Sequence, residues 1–504
     1  MNFRNNKVKY NTYLAVYQEL TLFSKYAGIT DLYAEFFLFL YDIPKKQKSI
    51  YKIINKQAMK RREFLGKTLA GTAGVAIGAS GLIASSCKGA NDKIVLALIG
   101  AGGRGVPTII SCCKANTGVE IKTICDVDDN RATAAAAEVE RQLGYKPVTA
   151  KYMKQVFDDK DIDAVWIATP DHWHALATIW ACQAGKDVYV EKTPSLCIWE
   201  GRKMLEAAKK HKQIVQAGYQ NRSGEYIAKA KEYIETGKLG QVVHIRIYNM
   251  LPGNKWIAEP DSETPSTLDW NEWLGPAPLI PFNKGALTGW FYYYAYNPGT
   301  LNDASHQLDI TRFLMGNPGH PKSVYGWGGN HVFNSERNTP EEQSITYDFE
   351  KFTVTVDSCN ATNYMSKASN EIRMDPEKYP EWKTNADRIE IYGTDGVMFM
   401  GRTGGGWQVY GPGEKLVAQA GGIHPDVEHQ KNFIDCIRSR KQPNANMEQA
   451  HLSASLVHFA NIAYRVGNRQ LLIDSQKEQF IGDEVANKLL KVSYRENYVV
   501  PEKV

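Results

Sequence analysis

Three glycines that follow an apolar run offer the first chemistry in this sequence. Ile94 to Ile99 reads as a strand covered on both faces, and Gly100, Gly102 and Gly105 come after it as G-x-G-x-x-G. Gly100 permits a tight turn, Gly102 lets backbone approach a pyrophosphate, and Gly105 lets the next helix pack on the strand. The free N–H groups and the dipole at that helix start favour an anion, with Gly103 and Arg104 inside the turn. Glycine-rich turns are common, so the pattern gains meaning from its sequel. Val119 to Cys125 reads as a second strand and ends in Asp126, about 20 residues on, where a carboxylate binds ribose hydroxyls. An acid there repels a 2′-phosphate, which favours NAD over NADP; Arg104 and Arg131 temper that preference.

These residues need a sheet to hold them. Asp128 or Asp129 caps a helix through the alanine run to Leu143. Asp163 to Pro170 is a further strand, followed by Asp171-His172-Trp173-His174, an apolar helix over 175–184 and Gly185. Asp187 to Val190 is another strand, ending in Glu191-Lys192-Thr193-Pro194. Strand and helix alternate at the spacing of a doubly wound parallel sheet, whose ligands lie at the carboxyl ends of the strands. The glycine turn, Asp126, Thr169 to His174 and Glu191-Lys192 all fall at such ends, so they are expected to share one site. On residue type alone Glu191-Lys192 is an ion pair of little energetic value. His172 and His174 lack a third ligand in reach, and no metal is expected.

From about Ala217 the pattern changes. A helix over 223–236 and a strand from Val242 to Tyr248 precede an irregular segment, Pro252 to Pro298, rich in Trp, Tyr and Pro. Such rings stack on sugars or fill a core, and a loop this long is usually functional. Gly299 to Ile310 opens a helix with His306 and Asp309 three apart on one face. Alternating runs at Lys322–Trp327, Gln343–Phe349, Phe352–Cys359, Arg388–Tyr392 and Val397–Met400 predict an open, mainly antiparallel sheet with helices on one face. His424–Arg440 and Glu448–Val466 read as helices.

The glycine turn, Ala168-Thr169-Pro170 with His174, and Glu191-Lys192-Thr193-Pro194 resemble the Gfo/Idh/MocA oxidoreductase family, whose hallmark is a Glu-Lys-Pro motif beside the nicotinamide. Thr193 is an extra residue before Pro194. Ile198 to Arg202 and Gln216 to Arg222 are similar to exported members, and the match runs from about Lys93 to Asp474. The resemblance implies an N-terminal Rossmann sheet and a C-terminal α+β domain. It implies an NAD-dependent enzyme that oxidises a secondary hydroxyl of a sugar, glycoside or related polyol to a keto sugar. It makes Lys192 the cation that stabilises a developing alkoxide and His306 the general base. It places Trp173 and His174 near the cofactor. Asn302 stands where inositol dehydrogenase-like members carry an Asp, with Asp303 next to it. Asn302, Asp309, Gln220 and Trp173 are the expected substrate contacts, although Asp309 is better suited to orienting the helix or His306.

Charge and termini bound the rest. Residues 1–67 hold 13 of the 60 Lys/Arg and 5 of the 55 Asp/Glu, leaving 47 and 50 elsewhere. The remainder is mildly acidic, which argues against nucleic acid as a partner. Eight cysteines form no C-x-x-C pair and suit buried small hydrophobes. Arg61-Arg62 with Phe64-Leu65, the uncharged stretch 68–86 and Ala84-Ser85-Ser86-Cys87 resemble a twin-arginine signal with a lipoprotein cleavage box. The expected organisation is an upstream extension over 1–58 absent from the mature protein, a signal over 59–92, a dinucleotide domain over 93–216, a substrate and oligomerisation domain over 217–475, and a tail over 476–504. The expected location is the periplasm, with a lipid anchor at Cys87 and a homo-oligomer built through the second sheet. Free NAD is scarce there, so two alternatives stand beside the dehydrogenase. One is a redox-neutral NAD-containing glycosidase or sugar–sugar oxidoreductase; the other is a non-catalytic sugar-binding lipoprotein.

Overall fold

The computed structural model describes residues 93–467 and 469–504. Arg61-Arg62, Cys87 and the boundary at residue 58 lie outside the described residues. Among those described, no helix is long and apolar enough to cross a membrane. The seven described cysteines are free thiols, five of them buried.

The first half is a six-stranded sheet in the order β3-β2-β1-β4-β5-β6, every neighbouring pair parallel. Its strands are β1 (Ile94–Ile99), β2 (Val119–Cys125), β3 (Val148–Ala150), β4 (Ala164–Ile167), β5 (Asp187–Val190) and β6 (Val215–Ala217). β4 and β5 are buried throughout, because helices cover both faces. The crossovers are α1 (Gly105–Ala115), α2 (Asp129–Leu143), α3 (Met153–Asp158), α4 (His174–Gln183) and α5 (Ile198–His211). Asp128 caps α2 by accepting from Asn130 N–H, and Gly144 ends it in the left-handed conformation.

Gly100 has φ +92, and a Cβ there would lie 2.7 Å from the Ala168 carbonyl oxygen. A Cβ on Gly105 would lie 2.5 Å from the Gly100 oxygen. The turn from β1 into α1 is therefore closed to larger residues by both torsion and space. Gly102 and Gly103 face open space instead.

The second half is a ten-stranded sheet in the order β14-β13-β12-β11-β7-β10-β9-β8-β15-β16. The strands are β7 (Val242–Met250), β8 (Ser323–Gly329), β9 (Glu342–Asp348), β10 (Thr353–Cys359), β11 (Arg388–Gly393), β12 (Val397–Gly401), β13 (Trp407–Gly411), β14 (Lys415–Ala420), β15 (Leu471–Asp474) and β16 (Gln479–Phe480). β7 and β10 run parallel; the other neighbours are antiparallel. Alternate residues of β10 are buried, as one covered face requires. The cover is α6 (Glu225–Glu235), α7 (Ser305–Leu314) and α9 (Met447–Val466). α8 (Asp426–Ser439) instead packs on α1 of the first sheet.

Polar ties and the C-terminal segment join the halves. His320 and His451 place Nε2 at 2.9 and 2.8 Å from Glu478 Oε1. A carboxylate only accepts, so both rings donate there, and Arg202 of α5 donates to Oε2 at 3.0 Å. The Nδ1 atoms of both rings are buried without a partner among the described residues. A metal-bound imidazole anchors that atom, so the cluster reads as a latch between α5 and α9. Beyond β16 the chain returns to the first sheet, where Val500 and Val504 join its core, and it ties to the irregular segment: Arg495 Nε donates to Gly275 O at 2.6 Å, and Tyr498 OH to Glu272 at 2.7 Å.

Candidate active site

A cavity of about 920 Å³ opens at the carboxyl ends of β1, β2, β4 and β5, and the second domain closes it. Gly100, Gly102, Gly103, Arg104, Asp126, Thr169, Trp173, His174, Glu191, Lys192, Gln220, Asn302 and His306 all line it. Gly105 does not, in keeping with its packing against Gly100.

The dinucleotide end is built from the glycine turn and Asp126. Asp126 accepts from Ala101 N–H at 2.7 Å and Asp128 N–H at 2.9 Å, which fixes the carboxylate over the turn; burial raises its pKa. Arg104 bridges Glu191 and Asp426, both at 3.0 Å, and so ties the turn to β5 and α8. In the amide orientation that satisfies both its ends, Gln220 accepts from Arg104 at 2.6 Å and donates to Gly218 O at 2.7 Å. Gln220 thus orients Arg104 rather than standing free for a substrate. The residues fit a pyridine dinucleotide. Open space lies over Gly102 and Gly103, an acid ends β2, and Thr169 Oγ1 is a buried hydroxyl without a partner among the described residues.

The irregular segment has a different role from sugar stacking along its length. Leu268 bridges to Asp128, Asp129 N–H donates to Thr267 O, and Asp269 N–H donates to Val127 O. The segment therefore pairs antiparallel with the chain just past the carboxyl end of β2. Trp270 and Trp273 stack with centroids 4.6 Å apart, and Trp273 O accepts from Trp173 Nε1 and His172 Nε2, both at 3.0 Å. These rings form a small core. Leu268, Trp273, Leu287 and Trp290 line the cavity together with Asp126 and Arg131. His172 is sealed in this core, and burial pushes it down to about 3. His174 holds the ends of β4 and β5 together, with Nε2 2.9 Å from Thr169 O and Nδ1 2.8 Å from Thr193 O; burial lowers its pKa.

At the other end, Lys192 lies between two acids and two cations. Its Nζ is 3.4 Å from Asn302 Oδ1 and 3.9 Å from Asp303 Oδ1. Burial lowers its pKa; Asp303 and Asp171 oppose the shift, whereas Arg402 and Lys367 add to it. Asn302 also accepts from Thr193 Oγ1 at 2.8 Å and donates to Asp171. Both ends of its amide are thus used within the protein, and Asn302 positions Lys192 instead of contacting a substrate. Thr193 supplies one of those bonds. Burial pushes Asp171 up to about 8, with Lys192 opposing the shift.

His306 lines the same cavity, and its Nδ1 is buried without a partner among the described residues. Burial and then the nearby Arg402 and Lys192 hold its pKa well below the usual histidine value. Asp303 makes no dyad with it, because Lys367 and Arg402 hold Oδ2 at 2.9 and 3.0 Å. Asp309 is a correction. It is fully buried, absent from the cavity wall and paired with Arg222 at 2.8 Å and with Ser453. Three positions along α7 share a side of the helix with His306, yet the neighbouring Arg222 claims the carboxylate. Asp171, Lys367, Arg402 and Asp426 join the site without having been read as site residues from the sequence, whereas Asp303 was named there beside Asn302. Asp171 lies in a turn already singled out; the others come from loops and helix starts that carry no pattern.

Comparison with known proteins agrees with this architecture. Residues 94–219 match the family model for the NAD-binding Rossmann fold of the Gfo/Idh/MocA oxidoreductases, 227–399 match a Gfo/Idh/MocA C-terminal domain, and 400–500 match the family's C-terminal alpha/beta domain. The chain belongs to the Gfo/Idh/MocA family. It is 31% identical over 182 residues to levoglucosan dehydrogenase of Pseudarthrobacter phenanthrenivorans, covering 36% of this chain and 40% of that one. It is 26% identical over 281 residues to the scyllo-inositol 2-dehydrogenase (NAD+) of Bacillus subtilis, covering 56% and 66%. The first curated relatives are therefore matched over about half their length or less. Among solved structures, myo-inositol 2-dehydrogenase from Lactobacillus plantarum superposes with a TM-score of 0.55 at 18% identity, over 76% of this chain and 100% of that one. At that identity the likeness speaks for the fold.

Proposed function

We propose that this member is an NAD-dependent oxidoreductase that converts a secondary hydroxyl of a sugar, glycoside or related polyol to a ketone. The observation that carries the reading is that Lys192 of the first domain and His306 of the second line one cavity beside the glycine turn. Bound NAD supplies the hydride acceptor. Lys192 donates to the reacting hydroxyl oxygen and stabilises the negative charge that develops there. Asn302 holds Lys192 in place, with Thr193 bonded to the same amide. His306 takes the hydroxyl proton. Its Nδ1 is sealed, so Nε2 is the atom that accepts. A low pKa keeps the ring neutral and ready, and the departing proton is strongly acidic once the carbon begins to become a carbonyl.

A redox-neutral cycle, as in a glycosidase or a sugar–sugar oxidoreductase, is supported by one feature. The segment around Leu268 to Trp290 covers the dinucleotide end and favours a cofactor that stays bound. Anaerobic incubation of purified protein with a panel of nitrophenyl glycosides separates the readings. A keto sugar with stoichiometric reduction of an added acceptor identifies the dehydrogenase. Release of the aglycone with no net NADH identifies the glycosidase, and neither product together with absence of bound NAD contradicts both.

The same proposal places the mature protein in the periplasm, exported folded by the twin-arginine route and anchored by lipid at Cys87. Replacing Arg61-Arg62 with Lys-Lys abolishes export on this reading; an unchanged cell fractionation contradicts it.

A further inference from the structure

The wall beyond Lys192 carries more positive charge than the hydroxyl chemistry requires. Lys367 Nζ and Arg402 Nη1 both hold Asp303 Oδ2, at 2.9 and 3.0 Å, and Lys192 Nζ is 3.9 Å from Oδ1. Three cations that line the cavity therefore surround one carboxylate. Behind them Asp387 is fully buried and accepts from Thr403 Oγ1 at 3.1 Å; it raises the pKa of Arg402 from the protein side. Arg373 adds a fourth cation on the cavity wall. Its Nε is spent on Ala368 O at 2.8 Å, and its terminal nitrogens have no partner among the described residues. Four cations thus line this wall, against three acids near them, Asp303, Asp387 and Asp171.

A second observation points to a missing acceptor. Arg402 is only 7% exposed, lines the cavity, and its Nε is buried without a partner among the described residues. Burying a guanidinium donor unmatched is costly, and excess like charge in an enclosed cavity is costly as well. A neutral sugar satisfies the donor through a hydroxyl oxygen but leaves the like charge uncompensated. An oxyanion relieves both, and guanidinium groups match carboxylate and phosphate geometry.

We infer that the substrate is an anionic sugar, whose carboxylate or phosphate is held by Arg373, Lys367 and Arg402 while Lys192 and His306 act on a neighbouring ring hydroxyl. This rests on the oxidoreductase reading of the cavity and specifies its substrate class. It also gives the two ends of the cavity separate work: the glycine turn and Asp126 serve the cofactor, and the segment bearing Lys367 and Arg373 serves the substrate's anion.

The test is calorimetric binding to the NAD-loaded full chain of matched pairs: D-glucuronate and D-glucose, D-galacturonate and D-galactose, and glucose-6-phosphate and D-glucose. In at least one pair the anion binds about tenfold or more tightly than its neutral partner, the scale of a charge-assisted pair. The advantage disappears in the Lys367→Met, Arg373→Ala double variant, with NAD occupancy by mass spectrometry unchanged. The uronate and phosphate arms tell the two anions apart. No anion advantage in any pair, including no measurable binding of either member, overturns the inference. So does a variant that loses NAD instead, because the cations then serve the cofactor. Tight anion binding with no reduction of bound nicotinamide by any sugar contradicts the oxidoreductase reading and leaves the anion site standing.

Discussion

At the scale of single residues, two titrating groups set opposite limits on turnover. Lys192 must be charged and His306 neutral. Activity is therefore lost as pH rises through the Lys192 pKa, which burial has lowered. It is also lost as pH falls through the His306 pKa, which lies well below the ordinary histidine value. Both limbs of the kcat/KM profile are expected on the acid side of those for free lysine and histidine. Lys192→Arg, which cannot deprotonate, should remove the alkaline limb while lowering the rate; a limb that stays in place contradicts the assignment. Asp309 tests the other kind of residue. Removing one partner of a buried ion pair costs about 3–5 kcal/mol, so Asp309→Ala should lower unfolding stability by that order in a denaturant titration, with substrate KM unmoved in the folded fraction. The glycines, Asp126 and Lys192 were legible because each stands at the end of an apolar run. Asp309 was misplaced because its partner, Arg222, lies 87 residues earlier, and no local pattern encodes that meeting. The roles of Gln220 and Asn302 shifted for the same reason: their amides are claimed by Arg104 and Asp171, which only the fold brings near.

At the scale of elements, the periodicities carried far. The helix read over 223–236 forms at Glu225–Glu235, and the runs read as strands in the second half all form. β3, β6 and β13 to β16 were not anticipated. Most of β14 is exposed, so it shows no burial alternation to read. The parallel pairing of β7 with β10 joins strands about a hundred residues apart and leaves no local mark. The aromatic segment was legible as unusual but not as what it does: it packs one small core and walls the dinucleotide end. Trp290→Ala should therefore speed cofactor release, with a rise of about tenfold or more in the NAD dissociation constant, the loss of a buried aromatic contact. Fluorescence or calorimetry on the stripped protein checks this, and an unchanged constant removes the segment from cofactor retention.

At the scale of the whole molecule, the site exists only where the two sheets meet, with α8, the Glu478 latch and the C-terminal segment fixing one half against the other. The composition could show two domains but not the surface on which they join. The open face of the second sheet exposes Tyr325, Trp327 and Val243 at 39%, 49% and 46%, which makes it the proposed homo-oligomer surface. Trp327→Glu should yield a smaller species by sedimentation, and an unchanged mass contradicts that surface. The central claim is that one amine and one imidazole, from different domains, serve hydride removal from one carbinol. Single-turnover reduction of bound NAD, followed by its near-ultraviolet absorbance under anaerobic conditions with a reactive sugar, tests it most directly. Lys192→Ala and His306→Ala should each slow the step about 100-fold or more, as for positioned proton-transfer groups, with NAD still bound; reduction at the wild-type rate in either variant would contradict the account.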